Sequence, residues 1–164
     1  RSTPGRGLCV YDMGRRQIAV INLMGTAYME NLACPFETME RLLQTPDLPK
    51  IILVDFHAEA TAEKKAMGYY LNGRVTAVLG THTHVQTADE QILSGGTAYI
   101  TDVGMTGPEE SVLGVKKELA IQKQRLNFPV RFVEADTPCF LNGAVVEFNE
   151  ATGKALSITR LTLR

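Results

Sequence analysis

Two apolar runs bracket one helical stretch in the middle of this chain, and together they limit the folds open to it. Ile51-Ile52-Leu53-Val54-Asp55-Phe56 is apolar without alternation, as expected of a strand covered on both faces. Thr61 suits the N-cap of a helix through Leu71, with Ala62, Ala66, Met67 and Tyr70 recurring on one face and Asn72-Gly73 ending it. Residues 75–79 then repeat the buried-strand pattern. Such a β-α-β unit predicts two parallel neighbouring strands joined by a right-handed crossover, so that the loops after both strands open at the same edge of the sheet.

The histidines fall at that edge. The chain holds three, and all follow probable strand ends: His57 after the first run, His82 and His84 after Val78-Leu79-Gly80-Thr81. Ligands in open α/β sheets collect beyond the carboxyl ends of the strands, so the three imidazoles form one candidate site. A neutral imidazole nitrogen binds Zn, Mn, Fe and related ions, and three would suffice for a mononuclear centre with an open position. The hydroxyls of Thr81 and Thr83 bracket His82 and are placed to support the ligands. Asp55 reads either as a carboxylate orienting a ligand from behind or as a local backbone cap. Asp102, at the end of a further strand over residues 97–101, reads equally as a contributor to the site or as the start of a turn. Glu59 and Glu63 lie near His57 in sequence, but Glu63 is expected on an exposed helical turn, and neither is given a role. Tyr69, Tyr70 and Met67 read as helix packing, and Cys9, Cys34 and Cys139 as small buried apolar groups.

Outside this unit, residues 8–11 and 17–23 read as strands of a hairpin turning at Gly14, and residues 35–43 as a helix with proline at an early position. The stretch 102–108 is too glycine-rich for helix or strand. A helix over 115–126 and a short strand over 130–134 follow. The tail, 144–148 and 155–163, alternates apolar with polar residues and reads as a hairpin with one wet face. Parallel centre and antiparallel ends together indicate a mixed α/β domain.

With 164 residues the chain has the size of one domain. A formal net charge of -1 with 21% charged residues gives no footprint for double-stranded nucleic acid or for an anionic membrane. No apolar run approaches the roughly 20 residues of a membrane span. Three cysteines without CxxC spacing indicate neither a zinc knuckle nor a disulfide framework, which fits a reducing cytoplasm. The start, Arg1-Ser2-Thr3-Pro4-Gly5-Arg6-Gly7, has no initiator methionine and reads as an internal loop of a truncated or processed chain, a cloning remnant being the alternative.

Three strings now carry a resemblance: Val54-Asp55-Phe56-His57-Ala58-Glu59-Ala60-Thr61, Gly80-Thr81-His82-Thr83-His84-Val85-Gln86-Thr87-Ala88-Asp89 and Thr101-Asp102-Val103-Gly104-Met105-Thr106-Gly107. They resemble the YmdB-like bacterial metallophosphoesterases, a branch of the calcineurin-like phosphoesterase superfamily, and the likeness runs from about Gly5 to the C-terminus. The resemblance implies an αββα sandwich with a dinuclear metal centre, filled by iron or manganese, and phosphodiesterase activity towards 2′,3′-cyclic nucleotides and related phosphodiesters. By motif position His57 and His82 would ligate one metal and His84 the other. The family's N-terminal half also supplies an aspartate, a bridging glutamate and an Asn-His pair, and none of these segments is present. The chain is therefore expected to be the C-terminal part of a single domain over residues 1–164, lacking the first strand, with its centre completed by an N-terminal segment. Without the bridging carboxylate two cations would repel each other unscreened. The unpaired edge makes a homo-oligomer a further expectation.

Two other readings remain beside the dinuclear phosphodiesterase. One is a non-catalytic binding or assembly domain that keeps half of a metal site; the other is a mononuclear three-histidine hydrolase. Metal content and turnover separate all three.

Overall fold

In the computed structural model, which describes residues 4–164, the chain forms two facing sheets and three helices. Of the loop expected over residues 1–7, the first three residues lie outside the described residues. Strands β1 (Leu8–Asp12) and β2 (Gln17–Met24) make the expected hairpin, and α1 (Pro35–Leu43) carries the chain to β3 (Ile51–His57). Then come α2 (Thr61–Tyr70), β4 (Ala77–Thr81), β5 (Gln91–Ile92) and β6 (Ala98–Ile100). The six strands run in the order β1-β2-β3-β4-β6-β5, with β2, β3, β4 and β6 parallel and both edge strands antiparallel.

Solvation explains this arrangement. Ile21, Val54, Phe56 and Val78 are at most 1% exposed, and with Met39 of α1 and Met67 of α2 they form the main core on the helical side of the sheet. Each such side chain contributes about 1.5–3 kcal/mol by leaving water. The opposite face is narrower. There Ala77 and Ala98 meet Ala155, Val146 and Ile158 of the second sheet, so small residues let the two sheets approach.

That second sheet consists of β7 (Thr106–Pro108), β8 (Cys139–Phe148) and β9 (Ala155–Leu163), all antiparallel. The tail hairpin thus builds its own layer and does not extend the first sheet. The glycine loop also departs from expectation: residues 106–108 become a strand because their backbone pairs with Leu141, Phe140 and Cys139. Helix α3 (Lys117–Leu126) begins later than its sequence pattern indicates, since Val115 pairs instead with Val112 and Glu134 in isolated bridges. The bridge from Val115 to Glu134 is all that forms of the strand expected over 130–134. Among the described residues no helix is long and apolar enough to cross a membrane.

Two packing expectations also need correction. The buried face of α2 is Lys64, Met67 and Gly68, while Ala62, Ala66 and Tyr70 are exposed. The cysteines are free thiols, with Cys34 and Cys139 exposed and Cys9 half-buried, so they are not core residues.

Candidate functional site

Parallel pairing sets the site. β3 and β4 align His57 with Thr81, and β2 aligns Met24 with His57, so three strand ends lie side by side and the chain after each enters the same crevice. Gly25 continues β2 beside it, donating its N–H to the His57 carbonyl at 2.9 Å.

From this edge the side chains form one continuous series. Asn22 Nδ2 donates to Asp55 Oδ2 at 2.7 Å, and the Thr81 hydroxyl donates to Asp55 Oδ1 at 2.8 Å. Thr81 Oγ1 lies 3.0 Å from His57 Nδ1, and His57 Nε2 lies 3.0 Å from His82 Nδ1. His82 Nε2 ends the series on Glu59 Oε2 at 2.7 Å.

The proton positions follow from what each partner can do. A carboxylate only accepts, so Thr81 gives its hydrogen to Asp55 and is left to accept from His57 Nδ1–H. By the same rule Glu59 accepts a hydrogen bond from His82 Nε2–H. In neutral imidazoles the remaining nitrogens, His57 Nε2 and His82 Nδ1, then carry lone pairs that face each other across 3.0 Å. Two lone pairs held so closely repel unless a proton or a metal cation stands between them. Burial lowers the His57 pKa, the neighbouring His82 adds to this, and Asp55 opposes it, so the ring favours its neutral, metal-binding form.

The donor pair suits a metal ion. Nitrogens about 2.1 Å from a common cation are separated by about 3.0 Å at a right angle and by about 3.4 Å at the tetrahedral angle, which brackets the spacing found here. The set is incomplete, however: among the described residues no three His, Cys, Asp or Glu side chains gather to hold an ion. His84, expected to contribute, is exposed. It lies on the same turn as His82, and both have positive φ, 66° and 117°, conformations that strain non-glycine residues.

Asp102 holds this strained turn. Its Oδ2 accepts from the Thr83 N–H and from Lys64 Nζ, each at 2.9 Å, and its Oδ1 accepts from the Gly104 N–H at 2.9 Å. Burial alone would raise the Asp102 pKa, but the Lys64 ammonium and the two amides outweigh it and hold the carboxyl below its ordinary value. Thr83 therefore enters the site through its backbone N–H, while its hydroxyl contacts Val85 and adds to the stabilisation of the Asp102 carboxylate.

Of the residues expected at this edge, the structure links Asp55, Thr81, His57 and His82 in one series and places Asp102 beside it, on the turn that carries His82 and His84. Glu59 and Glu63 were passed over. Glu59 meets His82, and Glu63 is half-buried, accepting from the Thr26 and Ala27 N–H groups at 2.9 and 3.3 Å. Lys64 was also missed. Its signal lay in the spacing: it falls three residues before Met67 and seven before Leu71, on the face that α2 buries.

Comparison with known proteins agrees with these motifs. A 2′,3′-cyclic-nucleotide 2′-phosphodiesterase of Bacillus subtilis (strain 168) is 46% identical over 162 residues, 98% of this chain and 61% of that protein. A putative phosphatase/phosphodiesterase of Mycoplasma pneumoniae is 37% identical over 155 residues, 93% of this chain and 55% of that protein. The crystal structure of a hypothetical protein from Thermus thermophilus superposes with a TM-score of 0.92 at 36% identity, covering 99% of this chain and 63% of that one. That of a novel phosphatase from Mycoplasma pneumoniae gives 0.89 at 35% identity, covering 97% and 57%. The chain thus spans less than two thirds of the length of each of these relatives. The profile of the YmdB-like protein family matches residues 1–161, and on that match and these motifs the chain belongs to that family.

Proposed function

We propose that this chain carries part of the active site of a metal-dependent phosphodiesterase acting on 2′,3′-cyclic nucleotides and related phosphodiesters. The observation that carries the reading is the pair of imidazole nitrogens, His57 Nε2 and His82 Nδ1, held 3.0 Å apart while the opposite ring nitrogens meet Thr81 and Glu59. In this reading His57 and His82 hold one cation and His84 serves a second. A further carboxylate ligand would have to be supplied from outside these residues, since among the described residues no three ligating side chains gather. Iron or manganese suits a mixed nitrogen and oxygen donor set.

When bound, such a pair of cations supplies a hydroxide-strength nucleophile at neutral pH and neutralises charge on the phosphoryl oxygens. In the net reaction one ester P–O bond breaks, a water oxygen joins phosphorus, and the leaving alkoxide takes a proton. The residues of this chain contribute orientation. Asp55 and Thr81 fix the tautomer and ring angle of His57, Glu59 does so for His82, and Asp102 pins the turn between His82 and His84. The free thiols favour the cytoplasm as its compartment.

Metal analysis and hydrolysis of bis-p-nitrophenyl phosphate with added manganese, on the full-length polypeptide, test the reading. It expects about two metals per polypeptide and turnover that His82→Ala abolishes. Full-length protein without metal and without turnover overturns it. A single metal with undiminished turnover favours the mononuclear alternative.

A further inference from the structure

Between β2 and α1 the chain crosses the rim of the histidine site, and the first residues of the crossing are tied to β3 and α2 and to the segment between them. Gly25 bonds the His57 carbonyl at 2.9 Å, and Thr26 and Ala27 donate their N–H groups to Glu63 at 2.9 and 3.3 Å. Met29 accepts the Glu59 N–H on its sulfur at 3.3 Å, and Glu59 is the residue whose carboxylate meets His82. Tyr28 lies between these anchors. It is 92% exposed and has a φ of 62°.

That combination is unusual. The left-handed region is sterically unfavourable for a bulky side chain, and glycine or asparagine would make the same turn more easily. A ring left in water gains nothing from burial to offset this. The anchored backbone on either side therefore presents the exposed ring at the rim, next to Glu59, the residue whose carboxylate meets His82.

We propose that Tyr28 is a specificity-determining residue, a platform on which the nucleobase of the substrate stacks while its phosphodiester lies at the histidine pair. This deepens the phosphodiesterase reading and rests on it. Every base presents a π-face, so stacking on tyrosine favours nucleosides over other phosphodiesters without selecting strongly among bases.

The test compares two substrates on the metal-loaded full-length protein: 2′,3′-cyclic AMP and methyl riboside 2′,3′-cyclic phosphate, which has the same reacting group and no base. Tyr28→Ala is expected to raise KM for the nucleotide about ten-fold or more, with kcat within about two-fold and the base-free substrate unaffected. Tyr28→Trp keeps the nucleotide KM near that of the parent, and Tyr28→Leu, bulky without a flat face, behaves like alanine. Equal effects on both substrates, or none on either, overturn the proposal while leaving the phosphodiesterase reading intact. If the unsubstituted protein hydrolyses neither substrate, the phosphodiesterase reading fails first and this inference falls with it.

Discussion

Lys64 Nζ lies 2.9 Å from Asp102 Oδ2 with both side chains almost fully out of water, and the same carboxylate oxygen holds the amide of Thr83 between His82 and His84. A helix on one side of the sheet is thereby fastened to the turn that carries the candidate ligands.

Breaking this pair from one side leaves an uncompensated buried charge. Lys64→Met is expected to lower stability by about 3–5 kcal/mol, read from urea unfolding. Metal affinity falls with it, because the strained turn loses part of its anchor. The double variant Lys64→Met with Asp102→Leu recovers part of the stability but not the metal affinity, since the Thr83 amide still lacks its acceptor. Recovery of both by the double variant would show that the pair does not position the turn.

The carboxylates behind the imidazoles act through them. Asp55→Asn and Glu59→Gln keep shape but weaken the acceptors that set the tautomers of His57 and His82. Each is expected to reduce metal affinity about 10–100-fold, measured by titration with manganese. His82→Ala should cost more than either. Unchanged affinity in both carboxylate variants would remove the orienting role assigned to this series.

What could be read from the sequence here was what depends on periodicity. Uninterrupted apolar runs identified β3 and the parallel pair, and the position of the histidines after those runs identified the crevice. What could not be read depends on contacts distant in sequence. Asn22 reaches Asp55 across 33 residues, and Lys64 reaches Asp102 across 38. Glycine-rich composition hid β7, because a strand supported by a partner such as β8 needs little propensity of its own. Glu63 looked like an exposed helical carboxylate because the loop amides that surround it come from the far side of α1.

Burial of Tyr99 makes stability depend on pH in the alkaline range. The phenol is 2% exposed, its oxygen is 3.0 Å from Thr101 Oγ1, and desolvation pushes its pKa from 10.0 up to about 12. Below pH 10 neither the folded nor the unfolded phenol ionises, and the full contribution is present. Between 10 and about 12 the unfolded chain releases the proton and the native protein does not, so stability falls as pH rises, by up to roughly 3 kcal/mol. Urea unfolding at pH 9 and 11.5 should show this fall, smaller in Tyr99→Phe by roughly 2 kcal/mol, the share reached by pH 11.5. Equal falls in both proteins would mean that Tyr99 does not carry it.

Gly80 provides the closest test of how the fold shapes the site. It pairs with Phe56 in the parallel ladder and its carbonyl accepts the Val103 N–H at 2.9 Å. A Cβ added there would be driven into the carbonyl oxygen of Thr101, a backbone atom that cannot swing aside. Gly80→Ala must therefore separate the end of β4 from the segment bearing Asp102, which loosens the hold of Asp102 on Thr83. The expected cost is about 1–3 kcal/mol of stability, with weaker manganese binding even where the variant remains folded. The signature is faster amide exchange at Thr83 and Val103 than in the parent, whereas exchange in β1 and β2 stays the same. A variant that loses stability but exchanges evenly across the sheet would mean that this close approach supports the fold without shaping the turn at His82.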